Sequence, residues 1–178
     1  INHPRTFDMY YFVEKDEKNK TELETIISKE FPEKRNKCSI VNEDCNVKLI
    51  SMSKFLNINK NYRVLAFIDP YGMSVNWSSI KILKGLGIDL WILVPTGMGV
   101  NRLLKKNYNI SESWLSKLET FLGLPRNEIL EYFYKQKSTL TLFGQENLIE
   151  KENDAIEKAG ILYRKRLNEV FDFVSEPF

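Results

Sequence analysis

Four polar stretches are placed where chemistry can occur, because each directly follows an apolar run that reads as a strand. Glu14 comes after residues 9–13 and is followed by Asp16. An acid there can accept hydrogen bonds from both hydroxyls of a ribose, although a solvated acid in the charged run 14–20 is the competing reading. Glu43, Asp44, Cys45 and Asn46 come after residues 38–41. A carboxylate at that strand end can accept from an adenine amino group with Cys45 or Asn46 lining the base; Asp44 can equally cap the helix beginning near Val47, and one residue can do both. The third stretch, Asp69-Pro70-Tyr71-Gly72, is the most specific. Proline fixes the turn, aims the carboxylate and the ring at a crevice, and leaves Gly72 to admit a ligand closely. Such a turn suits an amine: the acid and a backbone carbonyl take its hydrogens, the ring packs on it, and the nitrogen lone pair stays free to attack an electrophilic methyl group. A plain Asp-Pro turn is the alternative.

The fourth stretch runs from Pro95 through Gly97-Met98-Gly99 to Arg102. Exposed amides at a helix start beside an arginine can bind an anion. Arg102 occupies the position where a GxGxxG fingerprint needs glycine, so a tight loop without ligand is the simpler reading.

Positioning these stretches requires strands at residues 9–13, 38–41, 62–68 and 88–94, all short and rich in branched and aromatic side chains. The last two are almost unbroken apolar runs, which predicts central strands covered on both faces. Helical periodicity lies between them. Leu23, Ile26, Ile27 and Phe31 share a face before Pro32; Val47, Ile50 and Phe55 form a weaker stripe; Trp77, Ile80 and Leu83 follow a cap at Ser74 or Asn76 and end at Gly85. Strand, helix and strand recur at crossover spacing, predicting a Rossmann-like α/β domain with a mostly parallel sheet flanked by helices, spanning 1–178 as one unit. Beyond Val94 the pattern turns helical. Asn109 or Ser111 caps a helix carrying Trp114, Leu118 and Phe121 and closed by Gly123, and Pro125 opens another carrying Ile129 and Phe133, together an expected helical insertion over about 101–136. A short strand at 139–143 and a final helix over about 150–173 complete the expectation. Trp77, Trp91 and Trp114 all fall at core positions.

Composition narrows the classes further. With 43% hydrophobic residues against 28% charged, the 178-residue chain can bury a core. Its net charge of +2 argues for no extended nucleic-acid groove. Local basic clusters, Arg102 to Lys106 and Arg164 to Arg166, leave nucleic-acid binding open with weak support. Two cysteines and His3 are too few for a disulfide framework or a zinc site, so no metal is expected and a cytoplasmic location fits. No apolar run is long enough to suggest a membrane span.

These anchors together resemble the three-Cys-motif partner (TcmP) family of bacterial proteins, which are similar to class I methyltransferases using S-adenosylmethionine. The resemblance covers about residues 7–178. It rests on Tyr11-Phe12-Val13-Glu14-Lys15-Asp16, Asp44-Cys45-Asn46, Phe67-Ile68-Asp69-Pro70-Tyr71-Gly72, the run 89–103, and 163–177 with Arg166-Leu167 and Phe171. It implies S-adenosylmethionine as cofactor, with Glu14 on its ribose, Asp44 near adenine, and Asp69, Pro70, Tyr71 and Gly72 facing the transferred methyl; Cys45, from its place beside Asp44, is counted with the cofactor-binding residues. The Asp-Pro-Tyr-Gly turn resembles the Asp-Pro-Pro-Tyr type of amino methyltransferases with one proline missing. The resemblance also implies a first strand and glycine-rich loop before Glu14 and further strands after Pro177. None is encoded in these residues, so an incomplete domain with a split sheet is expected. A three-Cys-motif protein is the implied partner, and a non-catalytic partner-binding module that keeps the fold is the alternative function.

Overall fold

In a computed structural model the chain is a mixed α/β protein, described over residues 7–105, 109–141 and 144–177. The elements run β1 (Tyr10–Glu14), α1 (Glu17–Glu30), a 3-10 turn (Pro32–Lys37), β2 (Cys38–Asn42), α2 (Cys45–Ile58), β3 (Val64–Ile68), α3 (Trp77–Lys81) and β4 (Ile88–Ile92). A π-helical turn (Thr96–Asn101) then leads to α4 (Glu112–Leu122), α5 (Arg126–Phe133), β5 (Tyr134–Thr141), β6 (Gly144–Lys151) and α6 (Ala155–Leu167). Two compact units divide the chain, Ile1–Met52 and Ser53–Phe178.

The first unit is a strand-helix-strand module. β1 and β2 pair in parallel, with Tyr10 opposite Cys38 and Glu14 opposite Asn42. Asp16 starts α1 by accepting from the amides of Lys18 and Asn19, and Pro32 prevents the helix from continuing past Phe31. Ile27 and Cys38 are buried, while Ile26, assigned above to the same face, is 39% exposed.

In the second unit β3 and β4 also pair in parallel, Val64 opposite Ile88 and Ile68 opposite Ile92. β1–β2 and β3–β4 are each a two-stranded parallel sheet, and among the described residues no sheet closes into a barrel. One expectation fails here. Leu65, Phe67 and Trp91 stand on an exposed face, Trp91 at 57% exposure, instead of lying between two covering layers. The unbroken apolar run was the signal for double coverage, yet the described residues of this unit pack against one face only. Trp77 is buried as expected, and Trp114 is half-buried.

The core of this unit is built around α6. Tyr163 stacks on Phe121 at 4.8 Å between ring centroids and meets Trp77 edge-on at 5.8 Å. Arg166 lies over the Trp77 ring at 4.7 Å and donates to the carbonyls of Leu122 and Gly123. Gly123 closes α4 at φ 65°, and a Cβ there would stand 2.0 Å from Trp77 Cδ1. Left-handed backbone and close approach both demand glycine. The stretch expected to be helical through residue 136 turns into β5 at Tyr134, which pairs antiparallel with β6. Of the strand expected at 139–143, residues 142–143 lie outside those described. Because β6 takes Glu150 and Lys151 into the ladder, the last helix starts at Ala155 rather than near Glu150, and turns replace it after Leu167. Lys151 ties the hairpin down by donating to Asn101 O (2.9 Å), Asn101 Oδ1 (2.5 Å) and Leu104 O (2.7 Å).

The aromatic cluster yields two variants of opposite sign. Gly123→Ala should cost at least about 2 kcal/mol, from backbone strain and overlap with Trp77. The Tyr163 hydroxyl is buried without a hydrogen-bond partner among the described residues, and burial pushes its pKa up. Tyr163→Phe should therefore stabilise by about 1 kcal/mol. Urea unfolding followed by tryptophan fluorescence reads both.

Candidate functional site

Parallel pairing brings the carboxyl ends of β1 and β2 to one rim, and the first two polar stretches meet there. The Asn42 amide donates to the carbonyls of Glu14 (3.1 Å) and Lys15 (2.8 Å), binding the two strand exits together. The amide of Glu43 donates to Glu14 O at 3.2 Å. Glu14 turns one carboxylate oxygen back to the amide of Asp16 at 2.8 Å, and its other oxygen has no partner among the described residues. Asp16, beside it, is consumed as the cap of α1.

Asp44 takes the capping role that was one of its two readings. Its Oδ1 accepts from the Asn46 amide (2.9 Å) and Asn46 Nδ2 (3.0 Å), while Oδ2 pairs with Lys15 Nζ at 3.1 Å. Hydrogen bonding from the Asn46 amide, then from Lys15, holds its carboxyl below the usual range. Cys45 is half-buried, and burial followed by the Asp44 charge pushes its thiol pKa up. That makes it a weak nucleophile and leaves it the passive lining role.

The third and fourth stretches share the corresponding rim of the second unit. The Leu93 amide donates to Ile68 O at 2.9 Å, which keeps the chain paired as it leaves β3 and β4. Pro70 is buried and anchors the turn, whereas Tyr71 is 97% exposed and the Asp69 side chain is exposed without a hydrogen-bond partner among the described residues. Gly72 adopts φ 62°, and nothing lies within 4 Å of where its Cβ would be. The turn itself therefore accounts for glycine at this position. Met73 reaches the fourth stretch, its Cγ lying 3.4 Å from a Cβ built on Gly99. Residues 96–101 form a π-helical turn rather than the α-helix start expected, so their first amides are not presented as a regular helix N-terminus.

The acids thus fall into one cluster per unit: Glu14 with Asp44, Cys45 and Lys15 in the first, Asp69 with Pro70, Tyr71 and Gly72 in the second. Sequence reasoning missed Lys15 and Asn42. The side-chain bonds of Asn42 depend on strand register, although a polar residue ending a branched run was a visible hint. Among the described residues no three His, Cys, Asp or Glu side chains are grouped to hold a metal, and no helix is long and apolar enough to cross a membrane. The basic cluster on α6 is largely occupied within the fold: Arg166 serves Trp77 and the end of α4, and Arg164 pairs with Glu176 at 2.8 Å. Lys105 lies over Trp114, and Lys106 falls outside the described residues.

No protein-family model, curated protein or solved structure matches this chain.

The Asp44 contacts set a pH dependence. A folded-state pKa below the unfolded value near 3.8 gives stability that is present above that value and lost as pH falls through the folded one. Asp44→Ala should cost about 1 kcal/mol at neutral pH through loss of the cap. Asp44→Asn should keep most of that cap and lose the acid-range dependence. Urea midpoints at pH 7 and near pH 3 separate the two.

Proposed function

We propose that this chain is a methyltransferase-type domain that uses S-adenosylmethionine, akin to the three-Cys-motif partner proteins, with a Rossmann-like arrangement and α4–α5 as its helical insertion. The observation that carries the reading is that acids follow three of the parallel strands, at the carboxyl rims where open α/β sheets bind ligands. In this reading Glu14, Asp44 and Cys45 of the first unit contact the cofactor, and Asp69, Pro70, Tyr71 and Gly72 of the second form the turn that receives the methyl acceptor.

The acceptor chemistry of the first unit suits an adenosine. Glu14 can take ribose hydroxyls on its unshared oxygen while the other keeps the Asp16 turn. Each Asp44 oxygen already has partners, but a carboxylate offers about four acceptor sites, so an adenine amine can be added without uncapping α2. The amino-acid half of the cofactor finds no such counterpart: the first glycine of the sequence is Gly72, and the described residues contain no glycine-rich loop before it. The fit therefore extends to the adenosine half alone, and no step is routed through the cofactor.

What the residues can do toward an acceptor follows from their types. Asp69 can take an amine hydrogen and orient the nitrogen, the free Tyr71 ring can pack on the acceptor, and buried Pro70 keeps the turn rigid. Alignment of this kind needs no strong base.

Calorimetric titration with S-adenosylhomocysteine tests the proposal. Binding should be measurable, and Glu14→Gln should weaken it about tenfold, the effect of roughly 1.4 kcal/mol. Asp69→Asn should leave that affinity unchanged, because it acts on the acceptor. No heat of binding at millimolar ligand would rule the proposal out.

A further inference from the structure

The opposite end of the β3–β4 pair carries an arrangement that the strand-end acids do not use. Within the second unit, a cavity of about 340 Å³ opens between the Lys60–Arg63 segment leading into β3 and the Gly85–Gly87 turn leading into β4, with Leu56 also in its wall. Its size falls within the range of small-molecule sites, about 300–1,000 Å³. Two cationic side chains line it, and no acidic one does.

Arg63 is fixed by the fold. Its Nη1 donates to the carbonyls of Lys60 and Tyr62, both at 3.0 Å. A Cβ on Gly87 would stand 2.7 Å from Nη1 and 2.8 Å from Cδ, so only glycine lets the arginine lie where it does. Those bonds occupy one nitrogen of the guanidinium; Nε and Nη2 have no partner among the described residues. A planar cation anchored on one nitrogen, with donors to spare, is preorganised for an oxyanion. Lys60 adds a second charge, its ammonium engaged among the described residues by Asn57 Oδ1 alone, at 3.4 Å. Tyr62 contributes an aromatic surface, 57% exposed and held edge-on by Phe55 at 5.0 Å.

Phosphate alone would leave most of this volume, the tyrosine ring and the apolar lining from Leu56 and Leu86 unused. We propose that the cavity binds a phosphorylated planar ligand of nucleoside monophosphate size, its phosphate on Arg63 and Lys60 and its base stacked on Tyr62. Arginine and lysine together meet the dianion, and ring stacking tolerates different bases. The assignment is independent of the methyltransferase reading, since it uses none of that reading's residues.

Inosine 5′-monophosphate is the probe, because its base has no exocyclic amine for Asp44 to accept. In calorimetry on the whole chain it should bind in the submillimolar range, with inorganic phosphate at least about tenfold weaker. Lys60→Gln and Arg63→Gln should each weaken the nucleotide about tenfold, the loss expected for one charge-assisted contact. Tyr62→Leu should weaken the nucleotide and leave phosphate unchanged, whereas Glu14→Gln should alter neither. Because Arg63 also braces the loop, Lys60→Gln is the deciding variant, and an unchanged melting curve verifies its fold. Absence of binding at millimolar nucleotide, equal affinity for phosphate and nucleotide, or insensitivity to Lys60→Gln would each overturn the proposal.

Discussion

Parallel pairing is the constraint from which the placement of every candidate group follows. Two parallel strands cannot be joined by a tight turn; the chain must leave one rim, cross over and re-enter at the other. Both strands of a pair therefore finish side by side, and whatever residue follows each strand is delivered to a common edge. Glu14 and Asn42 are opposite each other for this reason, and so are Ile68 and Ile92, the last residues of β3 and β4 ahead of the Asp69 turn and the Pro95 loop. The Lys60–Arg63 and Gly85–Gly87 segments face each other at the other edge by the same rule.

Holding such an edge in place falls to polar side chains in the first unit and to aromatic packing in the second. In the first, Asn42 fastens the exits of β1 and β2 and Asp44 is tied to both Asn46 and Lys15, all partly exposed contacts of modest individual worth. In the second, Tyr163, Phe121 and Trp77 are fully or almost fully buried, each side chain contributing about 1.5–3 kcal/mol. Arg166 joins that cluster to the end of α4. A basic residue for which the sequence leaves nucleic-acid contact open is here a structural strut.

Four strands, the helix stopped by Pro32 and the helix closed by Gly123 were legible because their signals are local: branched runs, a missing amide, a left-handed position. The β5–β6 hairpin was not, since residues 134–151 are polar enough to lack a clear two-residue alternation and the cross-strand pairing that defines them is nonlocal. The final helix was overextended at its start for the same reason, as apolar spacing continues through residues that the ladder captures. Trp91 was misjudged because an apolar run reports what could be buried and says nothing of which layers are there to bury it. Of the candidate site, the acids themselves were visible from the rule that ligands gather at strand ends. Their partners Lys15 and Asn42 were set by register, which sequence spacing leaves open.

The capping duty of Asp44 bears directly on its suitability as a ligand group. A flexible surface carboxylate must be ordered before it can hold anything, and that ordering opposes binding. Asp44 is already ordered, because Asn46 fixes one oxygen through two bonds and Lys15 holds the other. The same contacts hold its carboxyl below the usual carboxylate range, which favours the ionised, accepting form. Glu14 is ordered in a similar way through the Asp16 amide and retains an oxygen for a second partner. Asp69 differs from both: among the described residues its side chain makes no such contact, and it follows a strand into a turn whose proline is buried. The carboxylates of the first unit are thus ordered by the fold itself, while the Asp69–Tyr71 turn of the second leaves one carboxylate and one ring free to adjust.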